Sequence, residues 1–197
     1  MKYLRTIIVV IILIILTVIA VIFMPKSKCY FDWNIYPELS ILLDEENFKI
    51  IKRELITTDN SDVFLFYYDG RLHNLSYANF PHTYNLLRCI PDIKNIFISI
   101  LSPRTKTSLH QGSDNFANDT LRCILPIEVS GNLKSGINTD GENKLFKQAE
   151  WIILDYSRPN YVFNKHKKNK TRLLILDLYR PHNIPRGISQ KPTEQLL

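Results

Sequence analysis

Cysteine is scarce in this chain: Cys29, Cys89 and Cys123 are the only three in 197 residues. They permit one disulfide at most and leave a thiol over, which excludes a disulfide framework as the source of stability. No internal repeat is visible, so a stacked or bladed architecture has no support. Aromatic residues are missing from the one strongly basic run, 164–172 (NKHKKNKTR), which holds four lysines, Arg172 and His166. Such a run reads as a solvated hairpin loop, and without interleaved aromatic rings nucleic acid is not expected as a partner. Small residues are missing where the first apolar run ends, in Val21, Ile22, Phe23, Met24 and Pro25. A cleaved signal peptide has a shorter apolar core, about 7–15 residues, and closes it with small side chains, so an uncleaved signal anchor is expected instead.

That run, Ile7 to Met24, is 18 residues without charge and with Thr17 as its one polar member. As a helix it spans about 27 Å, enough to cross a bilayer once. Residues 1–28 are therefore expected to be an N-terminal membrane anchor. Lys2 and Arg5 precede it while Lys26 and Lys28 follow it, so flanking charge does not orient it. The remaining residues, about 170, suit a single domain. Net charge is +6 overall, and +4 beyond Met24 from 23 Lys and Arg against 19 Asp and Glu, so attraction to an anionic membrane surface is a second expectation. Three sequons, at Asn74, Asn118 and Asn169, carry weight if the domain faces a secretory lumen.

Past the anchor the pattern is first helical. Asp44 reads as an N-cap for ENFKIIKRELI, whose Phe48, Ile51 and Leu55 share one face. VFLFYY (Val63 to Tyr68) reads as a strand, and Thr83 as the cap of a short helix that Pro91 stops. From Asn95 onward short apolar strands alternate with turn chemistry at Pro103, Gly112 to Asn115, Ser130 to Asn143 and Arg158 to Asn160. Helices followed by many short strands predict an α+β chain with a double-sheet barrel or jelly-roll core over 29–184. The tail, 185–197, with Pro185 and Pro192, reads as extended and poorly ordered.

Two arginines lie at the edges of apolar strands, Arg122 in LRCILPI and Arg172 in TRLLILDLYRP. With period two, Arg122 shares a face with Ile124, and Arg172 with Leu174 and Leu176. A guanidinium so placed either receives an anion in a pocket or snorkels to the rim, and the residues alone leave both readings open. His110, on one face with Gly112, is a candidate metal ligand.

Six pieces in order resemble the aspartyl/asparaginyl β-hydroxylase family, which includes lipid A hydroxylase-like proteins: FPHTYNLLRCIPDI, FISILSP, LHQG, LRCILPI, DYSRPNYVFN and TRLLILDLYRP, from about Tyr36 to Pro181. The resemblance implies a membrane-anchored Fe(II) and 2-oxoglutarate dioxygenase on a double-stranded β-helix (jelly-roll, cupin-like) with flanking helices. It places one iron histidine on His110 and the second on Asn160, co-substrate contacts on Ser99, Arg122 and Arg172, a further co-substrate histidine on Ile124, a turn glycine on Arg104, and Gly112 where related dioxygenases carry a carboxylate ligand. Asn160 offers iron a neutral carbonyl oxygen in place of an imidazole, which suits harder ions. Two functions follow: a catalytically impaired member serving as a binding or structural ectodomain, or an active dioxygenase hydroxylating Asp/Asn side chains or an acyl chain. The expected site is single-pass membrane with the domain lumenal or extracytoplasmic, and the substrate or protein partner is open.

Overall fold

The computed structural model describes residues 11–16, 28–57, 63–68, 71–72, 78–129, 131 and 134–190. Of the expected anchor only 11–16, a helical stretch with exposed apolar side chains, and Lys28 fall within these; the rest, and the Asn74 sequon, lie outside the described residues. Among the described residues no helix is long and apolar enough to cross a membrane.

Two sheets face each other. The larger runs in the order β1 (Tyr30–Phe31), β9 (Ile152–Leu154), β6 (Thr120–Glu128), β11 (Thr171–Tyr179), β4 (Ile93–Leu101), β2 (Val63–Tyr68), β3 (Arg71–Leu72), all antiparallel. The smaller runs β5 (Thr105–Lys106), β10 (Asn160–Asn164), β7 (Ser135–Thr139), β8 (Glu142–Leu145). The β7–β8 turn is Asp140–Gly141, with φ of 52° and 87°, the left-handed pair that a two-residue hairpin requires. The basic run 164–172 is not a hairpin loop: it carries the chain from β10 in the small sheet to β11 in the large one.

The large sheet is apolar on both faces, so its strands read as continuous hydrophobic runs rather than alternating ones. Leu121, Cys123, Leu125, Ile127, Leu174, Leu176 and Leu178 join the helix-side core with Leu39, Ile51 and Leu55. Ile124, Leu173, Ile175, Ile152 and Leu154 join the inter-sheet core with Ile137 and Phe146. Cys123 is thus a small core side chain, and all three thiols are free.

Helix α1 (Glu45–Ile56) is capped as expected, Asp44 accepting from the Glu46 and Asn47 amides at 3.1 Å each. Phe48, Ile51 and Leu55 are its buried face, each worth about 1.5–3 kcal/mol on burial. Helix α2 (Pro81–Leu87) departs from expectation. Thr83 lies inside it, and the carboxylate of Glu54 on α1 accepts from the His82 and Thr83 amides at 3.2 and 2.8 Å. The cap comes from another helix, which spacing along the chain cannot reveal.

The C-terminal segment is also more built than its composition suggests. Ser189 is buried, its amide donating to Asn118 Oδ1 at 2.7 Å while Asn118 Nδ2 donates to the Ser189 carbonyl at 2.8 Å. Asn118 is itself buried, so that sequon is closed in the folded chain, whereas Asn169 is exposed.

Candidate functional site

The two positions that the family resemblance assigns to iron are brought together. His110 and Asn160 form an antiparallel bridge, with His110 N donating to Asn160 O at 3.0 Å and Asn160 N to His110 O at 2.7 Å. His110 Nδ1 lies 2.9 Å from the Ser108 carbonyl, which only accepts, so Nδ1 is the donor and the neutral tautomer that fits this contact carries its lone pair on Nε2. Asn160 is buried and spends its amide nitrogen on the Arg158 carbonyl at 2.9 Å, leaving Oδ1 as the atom it could offer a metal. The loop that presents it is braced: Arg158 pairs with Asp140 and Asp155, Arg180 with Asp155, and Ser157 Oγ donates to Asp155 at 2.6 Å.

Tyr156 joins this pair to Arg122. Its ring meets the His110 ring edge-on at 5.9 Å between centroids, and the Arg122 guanidinium stacks 3.4 Å from the Tyr156 centroid. Arg122 faces the space between the sheets and grips Asp177, its cross-strand neighbour, through two bonds, Nε to Oδ1 at 2.8 Å and Nη2 to Oδ2 at 2.9 Å. Burial works against the guanidinium charge, but Asp177 outweighs it and holds Arg122 above the ordinary arginine value. The pocket reading of Arg122 is therefore half met: the side chain turns inward, and the anion on its fork is the chain's own carboxylate.

Arg172 is on the other face. It pairs with Ile100 across β4 and shares its side of β11 with Leu174 and Leu176, which pack toward the helices. It forms an ion pair with Glu128. The inward side chain at that end of β11 is Thr171, whose Oγ1 donates to Ser135 Oγ on the small sheet at 3.1 Å. The co-substrate contacts that the resemblance places on both Arg122 and Arg172 therefore do not share a pocket: the two arginines stand on opposite faces of the large sheet. Arg172, Leu174 and Leu176 do share a face, and it is the helix-covered face, not the interior. Ser99 lies opposite inward-facing Leu173, on the same face of β4 as Phe97 and Leu101.

The positions of Ile124 and Gly112 are equally informative. Ile124 is buried in the inter-sheet core beside Ile175, and a β-carbon on Gly112 would overlap the Tyr156 ring and Ala117. Arg104 adopts φ 58°, a left-handed conformation in which glycine carries no steric penalty, which accounts for the glycine that the resemblance expects there. Sequence reading gave no role to Asp177, Tyr156 and Asp155, although all three lie within the pieces DYSRPNYVFN and TRLLILDLYRP and Asp177 is an acid inside an apolar strand.

Residues 33–181 match the profile of the aspartyl/asparaginyl beta-hydroxylase family. The chain belongs to that family. No curated protein matches it. Among solved structures it is similar to an oxidoreductase of the 2OG-Fe(II) oxygenase family from Burkholderia pseudomallei, with 12% identity and a TM-score of 0.52, covering 76% of this chain and 84% of that one. It also shares a smaller region with the Cupin_2 domain of an XRE family transcriptional regulator from Enterobacter cloacae, with 15% identity and a TM-score of 0.36 over 44% of this chain and 82% of that one. The first likeness shows the fold, a 2OG-Fe(II) oxygenase-like barrel.

For a β-hydroxylase family member the iron donor set is thin. His110 Nε2 and Asn160 Oδ1 are one imidazole and one neutral amide oxygen, and Gly112 adds nothing. Among the described residues no group of three or more His, Cys, Asp or Glu is placed to hold a metal. Tight Fe(II) binding needs more nitrogen or carboxylate than this, so the residues present do not fit the group well.

Proposed function

We propose that this chain is a membrane-anchored β-hydroxylase family member impaired in catalysis, whose barrel serves as a binding or structural ectodomain. The observation that carries the reading is Asn160: it occupies the second iron position, and its amide nitrogen is committed to the Arg158 carbonyl. Ile124, packed among aliphatic side chains at the further co-substrate position, supports the same reading. The anchor rests on the uncharged run from Ile7 to Met24, with the domain lumenal or extracytoplasmic. Fe(II) and 2-oxoglutarate are the cofactors if the chain is active.

The test is calorimetric Fe(II) and Mn(II) binding with and without 2-oxoglutarate, together with succinate production. Wild type is expected to bind metal weakly and to make no succinate above background, and Asn160→His to bind metal more tightly. Tight metal binding with 2-oxoglutarate turnover in wild type would replace this reading with that of a working dioxygenase acting on Asp/Asn side chains or an acyl chain. Protease protection of the domain in sealed microsomes tests the topology, and digestion without permeabilisation would place the domain on the cytoplasmic side.

A further inference from the structure

The helices pack on the large sheet, and the outer face of the small sheet has a different character. Side chains alternate across a strand, so the residues on β10 and its partners that turn away from the inter-sheet core are Tyr161 and Phe163, with Lys106, Asn143 and Leu145 beside them. Together with Lys134 and Lys165 they line a depression of about 500 Å³. Its lining holds three lysines and no carboxylate. Lys106 Nζ lies 4.1 Å from the Tyr161 ring centroid and Lys165 Nζ 5.1 Å from that of Phe163, so two of the ammonium groups rest on aromatic rings. Leu145 is 41% exposed, and Lys167 and Lys168 are exposed in the loop that follows β10.

The chain enters the domain beside this face. Tyr30 donates its hydroxyl to the Glu142 carbonyl on β8 at 3.0 Å, and Cys29 Sγ donates to the Glu142 carboxylate at 3.4 Å. Asn143 and Leu145 of the same strand line the depression. The uncharged run ends at Met24, so the four residues 25–28 separate it from Cys29. Four residues reach no further than about 14 Å.

We propose that this basic, aromatic face of the small sheet docks on an anionic membrane surface. Lysine heads meet lipid phosphates and carboxylates, their stems and the two rings lie at headgroup depth, and Leu145 adds apolar contact. The short tether holds the face near the bilayer on whichever side the domain lies, a step that rests on the anchor reading above and not on its orientation. The charge and the rings stand independently of it.

The experiment uses the full chain in nanodiscs of phosphatidylcholine alone or with one third phosphatidylserine, with lysine acetylation read by mass spectrometry. Lys106, Lys134 and Lys165 are expected to be modified several-fold more slowly in the anionic discs, with Lys49 and Lys52 on α1 unchanged, and high salt is expected to abolish the difference. The triple variant Lys106→Glu, Lys134→Glu, Lys165→Glu, checked for an unchanged melting temperature, is expected to lose the protection. Equal modification in both lipids overturns the proposal, as does protection that appears only on adding RNA. If the chain does not incorporate into discs, the anchor reading fails by itself. Sedimentation of the same chain with anionic vesicles then tests the face, and absence of binding, or binding unaffected by the triple variant, overturns the docking proposal.

Discussion

Asp177→Ala isolates the energetic centre of the barrel interior. Asp177 has no exposed side-chain surface and Arg122 has 12%, and they meet through two parallel hydrogen bonds. Removing one partner of a buried pair leaves the other charge desolvated without compensation, at a cost of about 3–5 kcal/mol. A domain of this size holds about 5–15 kcal/mol in total, so this one change takes a large share of it. At about 2–4 °C per kcal/mol the melting temperature is expected to fall by roughly 6–20 °C.

The control is the double variant Arg122→Met, Asp177→Leu. It removes both charges and substitutes apolar volume among Phe97, Ile124 and Ile175, where a well-packed replacement of a buried pair is neutral or stabilising by about 1–4 kcal/mol. The single variant therefore melts lower than the double one, although it carries fewer changes. Added formate is expected to raise the melting temperature of Asp177→Ala, because a small carboxylate can take the fork that Asp177 vacates, and to leave the double variant unmoved. Thermal unfolding followed by circular dichroism reads all three proteins. A loss below 1 kcal/mol in Asp177→Ala would refute the claim that the pair is desolvated and mutually compensated.

Glu54→Ala removes the acceptor for two amides at the start of α2 and is expected to cost about 1 kcal/mol, read by urea denaturation, with faster amide exchange at His82 and Thr83; unchanged exchange there would show that water caps the helix equally well. Arg104→Gly relieves a left-handed backbone and is expected to be neutral or to stabilise by up to about 1 kcal/mol, whereas Arg104→Val is expected to destabilise, since a β-branched side chain suits that conformation least. For the thiols, burial and then the Glu142 contact push Cys29 up to about 11, and burial holds Cys123 well above its ordinary value. Both keep their protons at pH 8, and their share of reactive thiolate grows only as pH rises toward those values. Iodoacetamide at pH 8 is thus expected to modify exposed Cys89 in the folded chain and all three thiols after denaturation. Reaction of Cys29 at the rate of Cys89 would contradict its placement.

Much of the fold was legible because it rests on local signals. The Asp44 cap, the Phe48, Ile51 and Leu55 stripe, the Val63 to Tyr68 strand and the Asp140–Gly141 turn each lie within a few residues of their cause. What stayed hidden depends on register between distant strands. The period of two groups Arg172 with Leu174 and Leu176, yet a strand buried on both faces gives no clue as to which face is the interior. Glu54 capping α2, Ser189 closing over Asn118 and Asp177 beneath Arg122 are contacts across 29, 71 and 55 residues, and no spacing rule reaches that far. The site followed the same division. Motif order placed His110 and Asn160 together, while the partners that set their chemistry, the Ser108 and Arg158 carbonyls and the Tyr156 ring, emerged from the folded geometry.

That geometry also orders the steps by which the proposed impairment would be relieved. Asn160→His supplies a second imidazole opposite His110, on a backbone pair that already aligns the two positions. Its cost is the lost bond to the Arg158 carbonyl, about 1 kcal/mol, small against the gain of a nitrogen ligand. The inter-sheet interior is unaffected by that change: Ile124 stays packed beside Ile175, and Arg122 stays on Asp177. Asn160→His alone is therefore expected to raise Mn(II) affinity in calorimetry with no further gain when 2-oxoglutarate is present. Adding Ile124→His places a hydrogen-bonding group where the co-substrate would lie, and the metal affinity is then expected to depend on 2-oxoglutarate. If Asn160→His by itself shows that dependence, the aliphatic packing around Ile124 does not limit co-substrate access, and the proposed impairment reduces to one missing ligand.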